Sequence, residues 1–431
     1  MEAYVFEDFD SDSEPEVLWG ELPDDVWLQI FRFLPQYTIL SVICNVCSRF
    51  RATAFYSTLW RVLDFRKWDD HPALVMSFLE LLKPEMGKVS NHLRSLSFGK
   101  NTGNNVFGSN SRWLFYACHN LVYLDVGECD QMTALTVDEL AYYFCNVKTL
   151  ILQGCRKVDD EAMRAVSKFP NLSSLNITNC TNVTDVGLNF VAGMRSRLLH
   201  LETSEVWHLS DEAIQNLVSQ QPQIESLILY GENLTDLSVI STCHYLGNLR
   251  TFQMSFCRGL TDRSIFALCG KVRLQTLHLK KIAEEITTEA LTLLFKETPL
   301  VNLRDLAICN TDAIVDDTVY AIAAGCPNLQ KLHLDWCCEV TDNSMGELFR
   351  SCRHLQFVSL TGLGGLEGNW LVDIDHQLPF LTHLDVSLCR SIPGHRLRHL
   401  LLRNRKLEVY IHGGHLAQEP RRRRVALRDY L

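Results

Sequence analysis

The pattern of apolar and polar positions repeats along most of the chain: an apolar residue is followed by two more, three and five positions later. Leu172, Leu175 and Ile177 form one copy, and Leu329, Leu332 and Leu334 form another. With the first apolar residue as anchor, units start at Leu93, Leu121, Val147, Leu172, Leu198, Ile224, Leu249, Leu274, Leu303, Leu329, Leu355, Leu381 and Leu407. Most anchors lie 25 or 26 residues apart, so each unit is one copy of a repeated supersecondary element.

Each unit predicts a short strand, because Leu332 and Leu334 alternate with polar neighbours as one buried face requires. A helix follows, its start marked by Thr184-Asp185, Ser210-Asp211, Thr235-Asp236, Thr261-Asp262 and Thr341-Asp342, whose side chains can satisfy free first-turn amides. Leu188, Ile214, Ile265 and Met345, three residues past each Asp, turn one helical face inward. The expectation is an α/β leucine-rich-repeat solenoid, with a parallel sheet on the concave face and helices on the convex face. Cys129, Cys155, Cys180, Cys257, Cys337 and Cys389 all fall eight residues past their anchors. This phase resembles the cysteine-containing subclass of leucine-rich repeats over residues 93–412, and a periodic thiol beside a strand predicts core filling before zinc or catalysis.

Ahead of the repeats, Leu22-Pro23-Asp24-Asp25 opens a helix that Pro35 ends. Val26, Ile30 and Leu34 form one apolar face of it, and Trp27 and Phe31 form a second. Further helices are predicted over 38–46 and 48–55. So short a segment cannot hide this many large apolar groups, which predicts an exposed patch awaiting a partner. Leu22-Pro23, Ile30-Phe31, Leu34, the run from Val46 to Phe50, and Leu59-Trp60 match the F-box motif, with Phe50 where Trp is usual. Nearly the whole chain therefore resembles the F-box and leucine-rich-repeat family of substrate receptors. The predicted organisation is an acidic tail (1–16), an F-box (17–66), a helical linker (67–92), repeats (93–414) and a basic tail (415–431).

Charge refines this picture. The net charge is -10, and seven acids with no Lys or Arg occupy the first sixteen residues, leaving -3 for the remainder. A near-neutral body lacks the basic face that nucleic acid requires, and no run of residues is apolar enough for a membrane span. The expected location is the cytosol, the nucleus or both, on the absence of a leader pattern and the run Arg421 to Arg424. Ser11 and Ser13, each three residues before a Glu, suit an acid-directed kinase or a plain solvated tail. The excess Arg of the basic tail could also meet Glu202, Asp335 and Asp385 on the concave face.

No catalytic signature stands out, and no metal or other cofactor is expected. Cys44 and Cys47 form a lone pair, Gly362 to Gly368 reads as a widened turn, and His412 to His415 as a terminal one. The family resemblance implies that the F-box docks on the S-phase-kinase-associated adaptor of a cullin-RING ubiquitin ligase while the repeats hold a protein substrate. The adaptor residues it implies are Leu22, Pro23, Ile30, Phe31, Val46 and Trp60. A scaffold acting outside ubiquitin ligation remains the alternative.

Positions +2, +4 and +6 from each anchor are expected to face the concave side, with +7 at its rim. Substrate contacts are expected where these become bulky: Ile228, Tyr230, Phe256, His278, His333, Asp335, Trp336 and Asp385. Either Trp336 and Phe256 stand free, or they turn under the rim and pack on the next turn.

Overall fold

The computed structural model describes residues 22–108, 113–282, 284–297, 299–404, 406–411 and 415–417. The acidic tail, the phosphorylation candidates and the Arg run lie outside the described residues, as does the terminal turn at His412 to His415 apart from its His415 backbone.

Three short helices open the fold: α1 (Asp24–Phe31), α2 (Gln36–Ser41) and α3 (Ser48–Ala54). Pro23 and Pro35 precede the first two, each offering its carbonyl to the first turn where a missing N–H costs nothing. The helix expected over 38–46 is shorter than the pattern suggested. It starts at Gln36, directly after Pro35, and a bend at Val42 sets off a separate 3₁₀ turn at Ile43–Asn45. Cys47 caps α3, its sulfur accepting the Phe50 amide at 3.4 Å, while Cys44 is buried.

Among the described residues fifteen strands form one sheet in chain order, all parallel except the last pair. The sheet begins earlier than the repeat count placed it. Strand β1 (Val62–Asp64) pairs with β2 (Ser95–Ser97), and α4 (Pro72–Leu82) crosses between them, so the expected linker is the helical half of an extra first unit. At the other end Leu384 pairs with Val409, which shifts the last unit's register by one residue from its Leu407 anchor.

The helix starts fall where the Thr-Asp and Ser-Asp pairs place them, each hydroxyl accepting a first-turn amide. The following Asp does something the sequence did not reveal: it reaches forward to the next repeat's cap. Asp236 accepts the Thr261 amide at 2.8 Å and its hydroxyl at 2.6 Å, and Asp316 does the same for Thr341. Equivalent bonds join Asp160 to Thr184, Asp185 to Ser210, Asp211 to Thr235 and Asp262 to Thr287.

The cysteines eight residues past their anchors are all buried. Five of them donate to a carbonyl of the preceding repeat, as Cys180 does to Leu152 at 3.1 Å and Cys337 to Ile308 at 3.3 Å. Burial pushes the thiols of Cys129 and Cys180 up to about 12, which suits packing and denies them thiolate chemistry at neutral pH. Among the described residues no group of three or more His, Cys, Asp or Glu could hold a metal ion.

Candidate functional site

The α1 helix divides its apolar residues between two stripes. Trp27 and Phe31 face inward onto Phe50, with ring centroids 4.5 and 5.4 Å away. Val26 and Ile30, one turn apart, face solvent, as do Phe33, Val42 and Val46 nearby in the chain. Phe33 is 89% exposed. Arg49 pins the start of α1, bonding Asp24 at 2.7 Å and the Leu22 carbonyl at 2.5 Å.

Of the six expected adaptor residues, Leu22, Pro23, Ile30 and Val46 are accessible. Phe31 and Trp60 are not, and their expected surface role is corrected. Phe31 is enclosed by its own helical neighbours. Trp60 is fully buried, donates to the Ala54 carbonyl at 2.7 Å and stacks between Phe55 and Phe78. Because Phe78 lies on α4, Trp60 joins the helical segment to the repeats.

On the concave face the expected substrate residues form two groups rather than one. Tyr230 and Phe256 meet at 4.8 Å, and Trp207 packs edge-on to Tyr230 at 4.5 Å. Tyr230 is only 9% exposed, so its expected role as a free aromatic is corrected: its neighbours cover it. Lys281 stands 4.2 Å above the Phe256 ring. Sequence counting missed Trp207 because it lies past the strand, nine residues after its anchor.

The second group runs across later strands. His278 bonds Asp305 at 2.8 Å, His333 lies 4.9 Å from Phe357, and His383 pairs with Glu408 at 3.1 Å. Burial pushes the His333 imidazole down, while Asp335 and Asp305 oppose the effect. Burial works to raise Asp305, but the hydrogen bond and charge of His278 prevail and hold it below its ordinary value. Asp335 accepts from the Ser359 hydroxyl at 2.5 Å and the Thr361 amide, so it braces the next repeat. Asp385 likewise accepts the Ser387 amide at 2.8 Å. Asp305, Phe357 and His383 all occupy the +2 position, and the same count could have found them.

Trp336 is 44% exposed, yet one face of its ring lies against Gly362 of the next repeat. It thus fits both expected alternatives, half free and half packed. Its position is three repeats from Phe256, a separation of about 14 Å at the usual strand spacing. At the opposite end of the arc Arg66 bridges Asp64 at 2.8 Å and Asp125 at 3.0 Å, beside an open cleft of about 380 Å³. Sequence reading did not single these out, since Arg66 precedes the recognised repeats.

Comparison with known proteins agrees with this architecture. The F-box-like family matches residues 19–66, and the Leucine Rich repeat family matches residues 325–349. The chain thus combines an F-box-like segment with leucine-rich repeats, in that order. It is 26% identical over 265 residues to the Arabidopsis thaliana BTB/POZ domain-containing protein FBL11, covering 58% of this chain and 28% of that one. With the DNA repair protein rhp7 of Schizosaccharomyces pombe it shares 24% identity over 303 residues, 61% of this chain and 52% of the relative. The chain therefore spans between about a quarter and half the length of these curated relatives. The crystal structure of the yeast Rad7 and Elc1 complex contains a similar fold, with a TM-score of 0.57 at 19% identity over 76% of this chain and 87% of that one.

Proposed function

We propose that this protein is the substrate-recognition subunit of a cullin-RING ubiquitin ligase. The helical segment docks on the S-phase-kinase-associated adaptor through Leu22, Pro23, Ile30 and Val46, and the concave repeat face holds a protein substrate. The chain supplies recognition, and other subunits supply the cullin platform and the chemistry of ubiquitin transfer. The observation that carries this reading is the solvent-facing apolar stripe of α1 in a segment matching the F-box-like family, joined through Trp60 to a repeat arc. A stable partner covers such a stripe in the working protein. Substrate contact is assigned to Ile228, Phe256, His278, His333 and Trp336, with Tyr230, Asp335 and Asp385 supporting them.

The test is co-purification of the adaptor and a cullin with the full chain. Replacing Leu22 and Pro23 together by Ala should abolish adaptor capture and leave the thermal unfolding of the repeats unchanged, because both residues are accessible and lie outside the core that the helical segment shares with the solenoid. Undiminished capture by that variant would sink the assignment, and an adaptor complex without cullin would favour the scaffold reading.

A further inference from the structure

Four consecutive strands align the side chains of Ile151, Asn176, Glu202 and Ile228 in one row across the concave sheet, each in register with the next. The row two residues earlier holds Ser174 and Ser226 on either side of His200, and these small side chains leave a trough of about 180 Å³. Glu202 is half-buried in that trough and accepts from the Asn176 amide at 2.8 Å. No ion pair joins it to a cation among the described residues, although most acids on the neighbouring repeats are paired or used as caps.

The Trp207, Tyr230 and Phe256 cluster begins with Trp207 in the same repeat as Glu202 and continues through the next two repeats. Tyr230 is one strand over from Glu202 and two residues further along, a separation of about 8 Å from ordinary sheet spacings. The cation position over Phe256 is taken by Lys281, and Glu232 faces Arg258 at 3.6 Å. Trp207, 38% exposed, keeps an accessible ring. One uncompensated carboxylate between two isoleucine walls, next to an accessible aromatic, matches a long cationic side chain: methylenes lie along the isoleucines and the charged head meets the acid.

We propose that this trough is a specificity slot for a Lys or Arg side chain of an extended partner segment, whose adjoining apolar residue rests on Trp207. This deepens the substrate-receptor reading and rests on it only in taking the partner to be a protein. The probe is a displayed library of random octapeptides panned on the full-length protein. Selected peptides should carry Lys or Arg with an aromatic or aliphatic residue within two positions, and should bind Glu202→Gln at least tenfold more weakly. The amide oxygen of Gln can keep the Asn176 bond, so unfolding of this variant should match the parent; Trp207→Ala should remove the apolar preference and retain the basic one. Glu202→Lys should select acidic peptides instead. Enrichment without a basic residue, no enrichment over bare support, or equal binding by Glu202→Gln each overturns the slot. Adaptor capture is measured on the same preparations. Its failure alongside intact peptide selection removes the ligase reading and leaves the slot, and the reverse result removes the slot alone.

Discussion

Eight non-glycine residues have positive φ among the described residues, and every one sits seven residues after its repeat's anchor: Glu128, Asn179, Glu205, Phe256, Lys281, Asn310, Trp336 and Leu388. Gly154, Gly231 and Gly362 fill the same place in other repeats. The left-handed turn lets the amide at this position donate to the next repeat's strand-end carbonyl, as Trp336 does to Thr361 at 2.8 Å. A side chain there costs about 1–2 kcal/mol, so Asn and Gly are the economical choices and Trp336 and Phe256 are kept against a backbone penalty. Counting along the strand placed these residues at the rim, but Phe, Trp and Leu carry no left-handed signature, so the turn itself was not legible. At Gly362 a Cβ would lie 2.6 Å from the Trp336 ring, in a backbone of φ +79°. Gly362→Ala is expected to destabilise by roughly 1–3 kcal/mol in urea unfolding, and by less in a Trp336→Gly background, where only the backbone term remains. Additive effects of the two substitutions would show that the ring and the glycine do not interact. Trp336→Gly alone should stay within about 1 kcal/mol of the parent, since released strain offsets lost packing.

Strand and helix alternation was legible because anchor spacing and Thr-Asp caps are local signals, and the structure bears out both. The bonds between elements were not. An Asp one residue into a helix reads as a favourable first-turn charge, and nothing in its neighbours tells that it caps the following repeat. The same limit hid the extra first unit, whose strand Val62–Asp64 lacks the leucine phrase, and Trp207, which lies beyond its strand. Asp236 makes the ladder's consequence measurable. Burial works to raise its carboxyl, but bonds from Ser264 and Thr261 outweigh this and hold it below the ordinary value, and Asp316 behaves alike through Ser344 and Thr341. A carboxyl depressed in the folded state contributes stability that is complete above its unfolded value of about 3.9 and is lost as pH falls through the lower folded value. Asp236→Ala is expected to cost about 1.5–3 kcal/mol at pH 7, the usual worth of hydrogen bonds to a charged group, and to flatten the acid side of the stability profile. A parallel downward shift at every pH, with no change in acid slope, would contradict this.

At the scale of the molecule, the helical segment and the solenoid share one hydrophobic core, with Trp60 between Phe55 on one side and Phe78 on the other. Phe65 extends the contact from Phe78 to Phe98 at the second strand. A partner gripping the outer stripe of α1 would therefore hold the repeat arc in a set orientation, which a receptor needs if a substrate is to be presented rather than merely tethered. Two classes of substitution separate surface from joint. Ile30→Glu with Val46→Glu changes only exposed positions, so the melting temperature should stay within a degree or two while adaptor capture falls at least a hundredfold, because charge replaces apolar contact at an interface core. Trp60→Ala empties a fully buried site and leaves the Ala54 carbonyl without its donor, at an expected cost of about 3–5 kcal/mol. Limited proteolysis distinguishes the outcomes: the Trp60 variant should be cut first between the helices and the repeats, whereas the double Glu variant should digest like the parent. Parent-like capture by the double Glu variant would move the adaptor surface away from α1, and parent-like digestion of Trp60→Ala would show that the joint does not depend on this ring.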